Sequence, residues 1–303
     1  MRVAAKVGRK TIRITNSCVN MFVLIVLMLL LSFGCYAMWD SNQLHAAASS
    51  MQYEIYKPTT KDAESFEYLR SINPDVFAWL TVYGTNIDYP LVQGQDNIRY
   101  VNTDARGRHS LSGAIFLDHR SAPDFSHFSS IIYGHHMHNR VMFGEIELFA
   151  DRDFFDARRY GMLYFDEQEQ GLEFFAFVHA DAYDSTVFRV NIAGAEQQQA
   201  YLDTLLRMAT HTREDVSVTL DDRIVLLTTC SANSTNGRDV LIGRITHETH
   251  DDPFATQQTE RPNLIPGIDT PAQVALWATV GIAAALVLLV LLAIVLTTTK
   301  RRR

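Results

Sequence analysis

The chain has 303 residues, an ordinary apolar content of 47% and a formal charge of −7 at pH 7. That length accommodates one or two domains. The acidic balance excludes the basic face that nucleic acid requires, so no nucleic-acid partner is expected.

In chain order, the first feature is an almost purely apolar run over residues 19–38, preceded by Arg2, Lys6, Arg9, Lys10 and Arg13. It is long enough to cross a hydrocarbon core of roughly 30 Å as a helix. A cleaved signal peptide is the competing reading. The run is long for that, and no clean small-x-small site ends it. Residues 39–63 are Ala/Ser-rich and polar and read as a juxtamembrane linker. Phe66, Leu69 and Ile72 at helical spacing predict a short amphipathic helix over 61–71, which Asn73-Pro74 ends.

From Val76 the pattern turns β-like. Short apolar runs rich in β-branched and aromatic residues recur at 78–83, 87–92, 114–117, 130–133, 162–165, 172–179, 224–229 and 240–246. Many short strands in one compact domain predict a mostly β barrel or sandwich. One segment departs from this: Ala200, Leu202, Leu205, Leu206 and Ala209 make a helical stripe over 195–209. Residues 248–273 are polar and Pro-containing, a second linker. A second apolar run, 274–297, follows, and Lys300, Arg301, Arg302 and Arg303 close the chain. Its length and basic end weigh against a buried core helix.

No Asp or Glu precedes residue 39 or follows residue 273, so 34 acidic residues face 18 basic ones between the two runs. Positive flanks stay inside. Both basic tails, 1–18 and 298–303, are therefore expected in the cytoplasm, and residues 39–273 outside it.

Three cysteines are present, Cys18, Cys35 and Cys230. The first two lie about 25 Å apart along one helix, beyond disulfide reach. Cys230 is alone between the apolar runs. It is either an inert buried thiol or a reactive one. It ends the strand that starts at Arg223. Residues 231–237 carry no apolar side chain larger than Ala and read as a loop, and Arg238 opens the next strand. A guanidinium beside a thiol favours the thiolate and can hold the oxyanion of acyl transfer. Alone, Arg238 reads equally as a solvated strand-edge residue.

The segment Ile131-Ile132-Tyr133-Gly134-His135-His136-Met137-His138 joins a strand end, a glycine turn and three histidines. A histidine there can supply the acid/base that a nucleophilic cysteine needs. A surface cluster and a zinc site built from His135, His136, His138 and Cys230 are the competing readings. Adjacent histidines on a strand point to opposite faces, and no carboxylate lies within 134–140. No metal and no cofactor are called for.

Leu226-Leu227-Thr228-Thr229-Cys230 resembles the sortase signature Thr-Leu-x-Thr-Cys, with Leu at its first position. Tyr133-Gly134-His135-His136-Met137 is similar to the catalytic-histidine segment of class B sortases. So are Ile72-Asn73-Pro74-Asp75-Val76-Phe77-Ala78-Trp79-Leu80, the stretch from Gly84 to Asn97, and Gly113-Ala114-Ile115-Phe116-Leu117-Asp118. The resemblance covers residues 64–247, which would be the catalytic domain. It implies an eight-stranded β-barrel with an N-terminal helical extension and an inserted helix, besides the two transmembrane helices.

The resemblance also implies His135, Cys230 and Arg238 as the catalytic set, with His136 as the alternative base. Asn97, Val101, Thr228 and Thr229 would line the substrate groove. The implied reaction cleaves a C-terminal sorting motif of secreted proteins through a thioacyl enzyme and transfers it to an amine of peptidoglycan or a pilin lysine. The enzyme would sit in the cell membrane with its catalytic domain outside. The 231–237 loop departs from the family in being short and polar, and a second anchor is more typical of pilin-assembling members. The alternatives are a non-catalytic membrane-anchored surface protein and a cysteine peptidase acting on wall peptides. Against the first, Asn263-Leu264-Ile265-Pro266-Gly267 lacks the Leu-Pro-x-Thr-Gly order of a sorting motif.

Overall fold

The computed structural model describes residues 2–58, 64–137, 140–230 and 236–255, with Cys230 described through its backbone. The second apolar run and most of the second linker lie outside the described residues.

Helix α1 (Arg2–Ala48) opens the chain. Its span Ile14–Asp40 is long and apolar enough to cross a membrane, and none of its most apolar window is buried in protein. The helix does not stop at residue 38. It continues to Ala48, and only Ser49 separates it from a 3-10 turn, Ser50–Tyr56, that the Ser49 side chain caps. Tyr53 and Tyr56 of that turn are buried. The Arg106 guanidinium stacks over both rings, 5.0 and 5.4 Å from their centroids. The Tyr89 hydroxyl donates to the Ala48 carbonyl at 2.9 Å. Much of the stretch expected as a linker is therefore helical and seated on the domain. Its Ala/Ser-rich composition hid this, because two tyrosines carry the attachment.

Strands β1 (Val76–Val82), β2 (Asp88–Val92), β3 (Ile115–Leu117), β4 (Ser129–Tyr133), β5 (Tyr160–Phe165), β6 (Gln168–Asp181), β8 (Arg223–Cys230) and β9 (Gly237–Thr246) correspond to the eight runs of the sequence. They pair in the order β1-β2-β3-β4-β8-β9-β6-β5, and β5 pairs back onto β1. The ring is thus an eight-stranded barrel, and closure removes the unpaired edges that an open sheet would expose. The β2–β3 and β4–β8 pairs are parallel and the rest antiparallel. A ninth strand, β7 (Ala209–Thr212), lies outside the ring against β6.

Side-chain alternation sorts each strand between two buried clusters. Val225, Leu227, Leu241 and Phe177 join the barrel's own core, which also holds Trp79 and Tyr89. Ile224, Leu226, Val240 and Ile242 face the other way, under α4 (Ala195–Met208). That helix buries Tyr201, Leu202 and Leu205 in this second cluster, each contributing roughly 1.5–3 kcal/mol. The predicted stripe ran on to Ala209. The helix instead ends at Met208, and Ala209 opens β7.

Helix α2 (Glu64–Ile72) buries Phe66 and Leu69, with the Phe66 ring edge-on to Tyr164 and Trp79. The Trp79 indole N–H donates to Asp88 at 2.7 Å, which satisfies the one polar atom of a fully buried ring. A short α3 (Arg152–Ala157), capped by Asp151, was not anticipated. Past β9 the chain folds back on the barrel. His250 stacks on Tyr160 at 3.8 Å, and Phe254 fills the space above Gly84.

Candidate active site

Three neighbouring strands build the site. In the parallel β4–β8 pair, Tyr133 faces Thr228, and the Gly134 N–H donates to the Thr228 carbonyl at 3.2 Å. His135 follows Tyr133 by two residues, and Cys230 follows Thr228 by two. In the antiparallel β8–β9 pair, Cys230 faces Arg238. Positions 135, 230 and 238 therefore come to the same end of β4, β8 and β9. Along β8, position 230 continues the series 224, 226 and 228. Along β9, position 238 continues 242 and 240.

Gly134 is required for this turn. A Cβ there would meet Ile115 Cδ1 at 2.6 Å and the Phe143 ring at 2.7 Å. The close approach lets the chain leave β4 tightly, and His135 comes out beside the β8 end. The half-buried His135 ring sets Nε2 2.9 Å from the Val101 carbonyl. Val101 ends a 3-10 turn, Arg99–Val101. It thus meets the predicted histidine through its backbone.

His136 turns elsewhere. Its Nε2 lies 2.9 Å from Glu147 Oε2, and its backbone bridges to Met142. His138 lies outside the described residues. The two described histidines of the triplet thus go to different partners, and among the described residues no group of three or more His, Cys, Asp or Glu is placed to hold a metal ion.

Arg238 is partly buried, and its Nη1 donates to the Gly237 carbonyl at 3.1 Å. Its charge acts on Tyr133. Burial and then Asp118 hold that phenol well above the usual tyrosine range, while Arg120 and Arg238 pull it down. Thr228 and Thr229 are both buried. Among the described residues neither hydroxyl has a hydrogen-bond partner. Asn97 is held at both ends of its amide. Its Nδ2 donates to Asp118 Oδ2, and its Oδ1 accepts the His119 N–H, each at 2.9 Å.

Two acids beside the site were not among the candidate site residues, although Asp118 closes the motif 113–118. Asp118 is fully buried at the end of β3. It accepts from Arg120 Nε and Nη2 at 2.9 and 2.8 Å, from the Arg120 N–H at 3.0 Å, from Asn97, and from the Tyr133 hydroxyl at 3.2 Å. Burial alone would raise its pKa. The bonds from Arg120 and Asn97 outweigh that and hold it at about 2. Asp239, next to Arg238, is also buried and bonds His179 Nδ1 at 2.6 Å. Burial pushes it up, against the pull of His179. Its one signal is a charge interrupting an otherwise apolar strand.

No family model matches the chain. Sortase B of Staphylococcus aureus is 28% identical over 214 residues, covering 68% of this chain and 86% of that protein. A solved sortase B from the type II pilus of Streptococcus pneumoniae is 46% identical, with a TM-score of 0.54. The match covers 63% of this chain and all of that one. A class B sortase of Streptococcus pyogenes involved in pilus biogenesis is 39% identical, with a TM-score of 0.54, covering 59% of this chain and 97% of that one. The closed barrel with its N-terminal helix, taken with these likenesses, defines a sortase, a cysteine transpeptidase. Within that class, the chain belongs to the sortase B family.

Proposed function

We propose that Cys230 is the nucleophile, His135 the acid/base and Arg238 the oxyanion holder of this transpeptidase. The observation that carries the assignment is the strand register: 135 and 230 are equivalent positions past a parallel pair, and 230 and 238 are paired.

The Cys230 thiolate attacks a backbone carbonyl of a sorting motif, and the carbonyl electrons move onto oxygen. Arg238 donates to that oxyanion. As the tetrahedral adduct collapses, the C–N bond breaks and His135 gives its proton to the departing amine. A thioester remains on Cys230. An incoming amine attacks the thioester, His135 takes its proton, and the C–S bond breaks to restore the thiolate. Asn97, Val101 and Thr228 line the groove that receives the motif, Thr228 being on the face of β8 that carries position 230, whereas Thr229 is on the opposite face, with 225 and 227. The acceptor is a pilin lysine. This choice is supported by the higher identity of the two pilus-named relatives than of the staphylococcal one.

α1 spans the cell membrane with its basic end in the cytoplasm, and the run 274–297 spans it again, so that the domain faces outward. The length and composition of Ile14–Asp40 support the first span.

The test is thioacyl capture. Wild-type protein incubated with a sorting-motif peptide should gain the acyl mass on Cys230, and Cys230→Ala should gain none. Turnover retained in Cys230→Ala removes the assignment. Adding a lysine-bearing pilin fragment or a wall cross-bridge amine then reads out the acceptor. Product with the wall amine alone overturns the pilin choice.

A further inference from the structure

His135 lies past the end of β4, so strand pairing does not orient its ring. What orients it is the Val101 carbonyl, 2.9 Å from Nε2. A carbonyl only accepts, so Nε2 carries the proton and Nδ1 is the basic nitrogen. That carbonyl is itself placed by a small rigid unit. Asp96 Oδ1 accepts the Ile98 and Arg99 N–H groups, both at 2.9 Å, which winds residues 96–101 into one turn. The turn is moored through Asn97, whose side chain reaches Asp118 Oδ2.

A second connection leads from the same carboxylate to the same imidazole. The Tyr133 hydroxyl donates to Asp118 Oδ2. Tyr133 is the last residue of β4, and Gly134 alone separates it from His135. Asp118 is well fitted as the common anchor. It is fully buried, its backbone N–H donates to the Ile131 carbonyl at 2.8 Å, and its own carbonyl accepts from Gln93 Nε2 at 2.9 Å. Arg120 neutralises it from one side.

We infer that Asp118 is a positioning residue for His135: through Asn97 it fixes the Val101 carbonyl that holds Nε2–H, and through Tyr133 it fixes the strand end that carries the ring. Nδ1 is then the nitrogen that exchanges the proton with Cys230 and the amines. This rests on His135 being the acid/base. Asp118 touches no reacting atom. It acts by selecting the tautomer and the ring position, and misplacing a catalytic group costs rate steeply.

Asp118→Asn keeps the size of the side chain but turns an amide toward groups that donate. The full-length chain in detergent, with 15N-labelled histidine and the His135 signals assigned by their loss in His135→Gln, gives the direct readout. Wild type should hold the neutral His135 ring as the Nε2–H tautomer. Asp118→Asn should raise the Nδ1–H fraction at least threefold. It should also lower kcat for thioacyl formation roughly 10- to 100-fold, with KM changed less than threefold. If Asp118→Asn does not fold, Tyr133→Phe carries the test. It removes a single hydroxyl and should move the tautomer ratio the same way, with a severalfold loss of kcat.

An Nδ1–H tautomer in wild type overturns the inference. So does an unchanged tautomer ratio in the folded variant, with activity falling only as far as Tm does. Because the tautomer is read without substrate, this failure is separable from a failure of Cys230→Ala to block capture, which would remove the underlying assignment instead.

Discussion

Tyr133 and Thr228 are partners in a parallel pair, and the residues two places beyond them are His135 and Cys230. A parallel pair advances both chains in the same direction. Two residues equally far past its last rung therefore emerge together, without any contact between them in sequence.

The first prediction separates the two adjacent histidines. His135→Ala should lower kcat/KM for thioacyl formation by about 10²–10⁴-fold, the span typical of losing a general acid/base. His136 pairs with Glu147 instead, and His136→Ala should stay within about tenfold of wild type. A steady-state comparison on one sorting peptide checks both. Equal losses would return His136 to the candidate bases.

Arg238 is tested by charge and by shape. Arg238→Ala should lower kcat by about 10²–10³-fold, as expected for one oxyanion donor. Arg238→Lys keeps the charge but loses the planar fork, so it should recover part of that loss. The measurement is single-turnover thioacyl formation at saturating peptide.

Asp118 gives a stability prediction in acid. Its folded pKa of about 2 lies below the ordinary 3.8. A depressed carboxylate stabilises the fold above its unfolded pKa, and that contribution is lost as pH falls through the folded one. Between about pH 4 and pH 2 wild type should therefore lose about 2 kcal/mol through this group. Asp118→Asn should lack that part of the slope. Urea midpoints at pH 5, 4, 3 and 2 give the comparison, and parallel curves for the two proteins would refute it.

Tyr89 joins the end of α1 to the segment after His135 and His136. Its hydroxyl donates to Ala48 and accepts the buried Met142 N–H at 2.9 Å. Tyr89→Phe leaves that N–H unsatisfied, which costs about 1–3 kcal/mol. Equilibrium unfolding in urea should move accordingly. A shift below half a kcal/mol would mean that another acceptor takes over the Met142 N–H.

Much of this was legible in the sequence, for identifiable reasons. The eight barrel strands were visible because each is a short run of β-branched and aromatic residues between turn formers. Positions 135, 230 and 238, which the strand register brings to one end of β4, β8 and β9, stood out because each sits where such a run meets a polar loop. What escaped notice depends on contacts between distant residues. β7 was hidden inside the α4 stripe, since Ala209 fits the helical period and only the β6 edge makes it a strand. Asp118 resembles an exposed turn acid beside Arg120. Its burial comes from Asn97 and Tyr133, 21 and 15 residues away. His250 and Phe254 lie in a polar tail whose docking sites, Tyr160 and Gly84, lie far away along the chain.

One consequence follows from the close succession of α1 and the turn that seats it through Tyr53, Tyr56 and Tyr89. A flexible tether would let the enzyme sweep a hemisphere above the lipid in search of substrate. On the proposed span, with a single residue between helix and seat, the strand ends that carry 135, 230 and 238 would instead keep one height and one heading. The travelling would then be left to the substrates, delivered at that height with the scissile end already presented. A glycine-serine insert after Ala48 would lengthen the leash, relax the heading and trade delivery for random capture.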